Sequence, residues 1–316
     1  MTTTHDHHDA VTPAGPLDDV GSTPVDPQAD DATQASPWRR RIAKTPAGVL
    51  AAYCVLLLIV IVAAAAPWLA PYGFNDQDYE AILVGSSSDH WLGTDSFGRD
   101  VLSRLMYGAR VSLGSAAVAV TVGMSLGVPA GLLAGYFGGR TDGIIMRLVD
   151  TLLAFPTIVL AIGVTAMLGV GMTNAMVAVG IVLSPAFARV MRAQTLVVKN
   201  RLYVDSARTF SGGSFWIVRR HILPNAVQPV IVLAAHMLGV ALLVEASLSF
   251  LGLGTPPPNP SWGGMLREAS RFLDGLAIQI VAPGLAIAVT LLAINVVGDG
   301  LRDALDPRGR VKRLRS

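Results

Sequence analysis

The stretch YVDSARTFSGGSFWIVRRHILPNAV, residues 203–227, is a polar interruption in a chain of long apolar runs. It holds Arg208, Arg219, Arg220, Asp205 and His221 between two segments that are each apolar enough to enter a bilayer. Its spacing predicts two short amphipathic helices. Tyr203, Ala207 and Phe210 recur at i, i+4 and i+7, and Gly212-Gly213 supplies a stop. Ser214 is expected to cap a second helix with Phe215, Val218 and Ile222 along one side, ended before Pro224. A short helix with an exposed apolar stripe fits a groove on another protein. The alternative is a helix on the membrane surface, held by its arginines to anionic lipid.

The flanking runs decide the fold class. The 316 residues are 52% hydrophobic and only 15% charged, well below the charge of a soluble domain of this size. Mean hydropathy is +0.53. A helix needs about 20 mostly apolar residues to cross a bilayer, and its backbone groups must be paired internally. Six spans meet that test, at about 47–69, 111–134, 147–168, 175–192, 225–247 and 277–298, with the polar segment 199–224 between the fourth and fifth. The third and fourth are separated by the turn GVGMTN, residues 169–174. The expectation is an all-α membrane protein with six transmembrane helices.

Lys and Arg orient it. With the N-terminus inside, 19 of the 24 basic residues fall on the inner side, so both termini are expected to be cytoplasmic. Residues 1–37 carry seven of the 22 acids and no Lys or Arg, and read as a disordered acidic tail without the basic start and apolar core of a signal peptide. The histidines of HDHHD, residues 5–9, read as solvated or as weak metal ligands; a fixed metal site is not expected. Residues 311–316 form a basic tail, and the single cysteine, Cys54, falls inside the first apolar run.

Several segments carry a family resemblance. Residues 205–224 follow the EAA loop of bacterial ABC importer permeases: Asp205-Ser206-Ala207 stands for Glu-Ala-Ala, Ser211 for its glycine, and His221 precedes Leu223-Pro224. Ala207, Leu223 and Pro224 match, Asp205 keeps the charge, and Ser206, Ser211 and His221 depart. WLGTDSFGRDVLSRLMYGARVSL (91–113), AGYFGGRTDGIIMRLVDTLLAFP (134–156), EASLSFLGLGTPPPNPSWGGML (245–266) and GDGLRDALDPRGR (298–310) resemble the C-type permease subunit of dipeptide, oligopeptide and nickel importers over residues 38–310.

That resemblance implies a type I ABC importer permease in the bacterial plasma membrane. Its partners would be a second, unlike permease, two ATPase subunits that bind ATP and Mg, and an extracellular substrate-binding protein. The ATPase-coupling loop would comprise Tyr203, Asp205, Ser206, Ala207, Phe210, Ser211, Gly212, His221, Leu223 and Pro224. The cargo would be dipeptides or oligopeptides, with nickel or another small solute as the alternative. No cofactor or catalytic residue is expected in this chain. Lys44, Lys199 and Lys312 follow Ala, Val and Val, so no P-loop exists to hold a nucleotide. A secondary transporter is the rival from another class, opposed by the lack of an evident repeat or of paired midplane charges. An intramembrane enzyme is opposed by the lack of HExxH or GxSxG in the spans.

Beyond the loop, residues 91–110 predict an amphipathic helix with an Asp100/Arg104 pair, packed on the bundle or touching the binding protein. Pro256, Pro257 and Pro258 stiffen residues 251–264, which form either a connector or, with Glu245 and Trp262, a place of substrate entry. Glu245 is too costly to face lipid and is expected inside the bundle, paired with an arginine or helix end or lining the path. Asp150 is expected to pair with Arg147.

Overall fold

A computed structural model describes residues 47–209, 213–272 and 277–305. Among them the structure is helical, with one isolated bridge between Thr94 and Asp100. Five helices are long and apolar enough to cross a membrane, or six if one bent pair counts as a single span. The acidic N-terminal stretch, the basic C-terminal stretch and Phe210, Ser211 and Gly212 lie outside the described residues.

Helix α1 (Ala47–Leu69) has no charged residue and exposes Leu57, Leu58 and Ile61 along its length, as a lipid-facing span does. Helix α2 (Val101–Phe137) is continuous over 37 residues, about 55 Å at the usual rise. A bilayer core is about 30 Å thick, so α2 extends beyond it. The expected division is an amphipathic helix over 91–110 and a span over 111–134. The structure joins 101–110 to the span and leaves 91–100 as loop, because Asp100 caps the helix by accepting from the Ser103 amide.

The third span is not one rod. Helices α3 (Gly139–Leu153) and α4 (Thr157–Leu168) meet at 98°. Pro156 explains the break: its ring has no N–H and disfavours helical backbone at Phe155. After the turn, Asn174 donates to the Leu168 and Gly169 carbonyls, and α5 (Met172–Lys199) begins.

Helices α2 and α5 run parallel and form the centre of the bundle. Gly123, Gly127, Gly131 and Gly135 recur every fourth residue on α2 and face Gly180, Ser184, Ala188 and Arg192 in step along α5. A β-carbon at Gly127 or Gly131 would overlap the Ser184 or Ala188 carbonyl oxygen, so glycine sets the helix separation here. Lys199 then donates to the Gly135 and Tyr136 carbonyls at 2.9 and 3.1 Å, satisfying the C-terminal end of α2 from the neighbouring helix.

The polar segment contains α6 (Leu202–Thr209), then α7 (Ser214–Ile217), a π turn over Val218–Ile222 and α8 (Leu223–Ala226). Helix α9 (Gln228–Leu251) returns through the bundle, α10 (Trp262–Ala269) packs across the far end, and α11 (Ile278–Leu305) completes it. Helix α9 touches α2, α5 and α11, and α1 lies against α2 and α11.

Candidate functional site: the polar helix end and the opposite cavity

At one end of the bundle, the polar segment presents two faces. Val204, Ala207, Ile217, Ile222 and Ala226 are buried against the bundle. Leu202, Tyr203, Phe215 and Trp216 are turned away, with Leu202 85% and Phe215 77% exposed. Around them Arg201, Asp205, Arg208, Arg219 and Arg220 are also exposed. An apolar patch in a charged rim is the composition of a surface that another protein covers.

Local chemistry fixes this arrangement. Asp205 pairs with Arg208 at 3.1 Å, and the Ser206 hydroxyl returns to the Leu202 carbonyl. His221 lies 4.8 Å from the Trp216 ring and 6.4 Å from Tyr203, and its buried Nε2 has no hydrogen-bond partner. Four expectations are corrected. Tyr203 is exposed while Ala207 is buried, so the first helix does not carry them on one face. Gly213, not Ser214, occupies the N-cap position, without a side-chain bond. The helix does not end before Pro224: the π turn closes from the Leu223 amide to the Val218 carbonyl, and this widened turn takes up Pro224, which has no N–H to continue the ladder. The wider turn also shifts register, so Phe215 is exposed while Ile222 is buried, and Phe215, Val218 and Ile222 do not share one face.

The opposite end, built from residues 70–100 and 252–272, is rich in buried charge. Arg99 donates to Asp95 at 2.7 Å and to Glu268 at 2.8 Å. Arg104 reaches the same Asp95 and Glu268 oxygens at 3.3 and 3.1 Å, and the Phe74 carbonyl at 3.2 Å. The expected Asp100/Arg104 pair therefore does not form. Asp100 is used by the Ser103 amide and hydroxyl and by His90, and burial leaves Arg104 to the carboxylates brought by the loop and by α10.

Trp262 is 2% exposed, so it offers no surface for an entering substrate. Its amide donates to Ser112 and its indole N–H to the Leu105 carbonyl, which pins α10 to α2. Pro256, Pro257 and Pro258 are exposed, and Pro257 and Pro258 line a cavity with Arg267 and Arg271. Glu245 is 6% exposed, with Oε1 accepting from Ser249 at 2.7 Å and Oε2 unpartnered. It borders a small space with Ser115, Met172, Met176 and Thr255, and no arginine pairs with it among the described residues.

Asp150 also departs from expectation, pairing with Arg189 of α5 rather than with Arg147, because the bend at Pro156 turns α3 across α5. Sequence reasoning missed the Arg99–Glu268 contact, 169 residues apart, and the exposed Leu202 and Trp216. The latter had a signal: Leu202 and Trp216 stand next to Tyr203 and Phe215 in a run whose charges keep it in water. No group of three or more His, Cys, Asp or Glu suited to a metal occurs among the described residues.

Comparison with known proteins gives this geometry a context. Residues 127–311 match the binding-protein-dependent transport system inner membrane component family, and residues 36–85 match the N-terminal TM domain of oligopeptide transport permease C. The glutathione transport system permease protein GsiD of Pectobacterium atrosepticum is 47% identical over 89% of this chain and 95% of its own length. Its counterpart from an Escherichia coli strain is 46% identical, over 86% and 91%. Two inward-facing crystal forms of the MetNI methionine ABC transporter share the fold at 18% identity, with TM-scores of 0.53 and 0.55 over 64% and 65% of this chain and 96% and 97% of theirs. The chain thus belongs to the binding-protein-dependent transport system inner membrane component family, as a permease of the dipeptide and oligopeptide ABC importer type.

Proposed function

We propose that this permease forms one half of a peptide-importing pathway and that residues 202–226 are its contact with the ATPase subunits. The observation that carries the reading is the exposed set Leu202, Tyr203, Phe215 and Trp216 at one end of the bundle, backed by the buried Val204, Ala207, Ile217 and Ile222. A docked partner pushes on the first set and the second transmits the displacement. Because the π turn and α8 lead into α9 through Val227 and Gln228, movement of the helix pair is delivered to a span that touches α2, α5 and α11. Transport follows from switching between two packings of these helices, biased by nucleotide in the partners on one side and by a loaded binding protein on the other.

With this end in the cytoplasm, most arginines and lysines lie inside, as the positive-inside rule requires. Residues 70–100 and 252–272 then face outward, and Glu245 lies beneath the outer end of the path. The permeases of similar sequence are named for glutathione, which favours a small peptide cargo over nickel. The chain is not itself the catalyst: ATP and Mg belong to the ATPase partners, and a second permease supplies the other half of the pathway.

The test is co-purification from mild detergent with the second permease and the ATPases, followed by ATP-driven peptide uptake in proteoliposomes. Replacing residues 203–224 with a neutral linker is expected to leave insertion intact and to release the ATPases. Retained ATPases, or uptake driven by an ion gradient without ATP, would overturn the reading.

A further inference from the structure

The opposite end of the bundle holds a cavity of about 420 Å³ between residues 75–99, the proline loop and α10. Its size falls within the range of small-ligand sites. Four guanidinium groups border it, Arg99, Arg104, Arg267 and Arg271, and Glu268 is the carboxylate in its wall. Arg99 and Arg104 are committed to Glu268 and to Asp95 behind it, so two cations meet two anions and that part is neutral. Arg267 and Arg271 have no carboxylate within ion-pair distance among the described residues. Among the described residues the cavity therefore carries a surplus of two positive charges, and Asn75, Gln77 and Asn259 add neutral polar groups to its wall.

Two features make Arg267 more than a solvated surface charge. Its guanidinium packs on Gly252, where φ is +85° and a β-carbon would overlap it, so the left-handed glycine opens the place that the side chain fills. Its neighbour Glu268 is held by Arg99 and Arg104 and is not free to neutralise it. A guanidinium presents a planar fork that matches a carboxylate, and such charge-assisted bonds are stronger in a partly enclosed site than in open water.

We propose that this cavity is an entry site for the carboxylates of an acidic peptide, with Arg267 and Arg271 each taking one, so that this chain favours cargo with a carboxylate beyond the C-terminal one. The inference rests on the importer reading and deepens it: the selection occurs on the permease and adds to whatever the binding protein selects. Arg99 and Arg104 are already committed to Asp95 and Glu268, so no further guanidinium is offered to a third carboxylate, which restricts the site to small acidic peptides. A cationic peptide meets the surplus charge unfavourably at the same place.

The experiment uses the complete importer in proteoliposomes of zwitterionic lipid, with binding protein saturated in turn by glutathione, trialanine and a lysine-containing tripeptide. The readout is the ratio of ATP-driven uptake between the acidic and neutral peptides. The Arg267→Gln, Arg271→Gln double variant is expected to lower that ratio about tenfold, as loss of charge-assisted bonds implies. Arg110→Gln, which removes an exposed charge outside the cavity, is expected to leave the ratio at the wild-type value. Should the double variant fail to assemble, Gln77→Glu places a negative charge in the same wall and is expected to lower the ratio in the same direction. An unchanged ratio in the double variant overturns the proposal, including the case where all three peptides slow equally, the mark of a lost salt bridge to the binding protein. Absence of ATP-driven uptake of any peptide by the wild-type complex overturns the importer reading itself, and is distinguished by that control.

Discussion

Arg192 of α5 and Asp142 of α3, fifty residues apart, form a two-pronged pair: Nε meets Oδ1 and a terminal guanidinium nitrogen meets Oδ2, each at 2.5 Å. With Asp150 and Arg189 one pair further along, it fixes α3 across α5 just before the 98° bend. Both side chains of the first pair are partly exposed, so its worth is limited by solvent. Asp142→Asn is expected to destabilise the permease by about 1 kcal/mol. Asp142→Arg and Arg192→Asp are each expected to lose at least as much, and the double exchange to recover part of that loss. Thermal unfolding of the four members of the cycle checks it; equal loss in the exchanged protein would remove the pair as a clamp.

The glycine series gives a graded prediction. Gly131→Val forces the α2 and α5 backbones apart and is expected to cost about 1–3 kcal/mol, with reduced yield of folded protein. Gly114→Ala, on the same helix with nothing near the added carbon, is expected to be neutral or mildly stabilising. Detergent-solubilised thermal stability of the two variants separates close packing from helix propensity.

Trp262 joins packing and hydrogen bonding in one side chain. Trp262→Phe keeps most of the buried ring and loses the bond to the Leu105 carbonyl, an expected cost of about 1 kcal/mol. Trp262→Ala also opens a cavity and is expected to cost about 3–5 kcal/mol. Protease susceptibility of residues 252–272 should rise in that order.

Glu245 offers one satisfied oxygen and one unpartnered oxygen. Glu245→Gln retains an acceptor for the Ser249 hydroxyl and is expected to fold with stability within about 1 kcal/mol of wild type. Glu245→Lys places a longer cation among Ser115, Met172 and Met176 and is expected to abolish a monodisperse complex in size-exclusion chromatography.

At the other end, Leu202→Ser and Phe215→Ser remove exposed apolar surface and leave the buried backing in place. Unfolding temperature is expected to stay near the wild-type value, while recovery of the ATPases and peptide uptake both fall. A drop in stability with ATPase recovery intact would assign these side chains to the fold.

Features set by contact with lipid or water can be read without a fold. A charge-free run such as 47–69 is a helix in lipid whatever surrounds it, and the observed helix has those bounds. The polar interruption at 203–227 was legible for the same reason, since side chains that require water mark where the chain leaves the bilayer, but its apolar faces were not, because the π turn over Val218–Ile222 shifts the register. Local breakers were only partly legible, since Pro156 bends a span while Pro129 and Pro185 lie within continuous helices whose neighbours hold them. The long-range ion pairs required the assembled bundle. Asp100 and Arg104 have the spacing of a helical pair, yet capping takes the aspartate and Glu268, 164 residues away, takes the arginine. Buried charges select partners by the whole three-dimensional set of donors and acceptors offered to them, and one-dimensional spacing reports only those on the same helix.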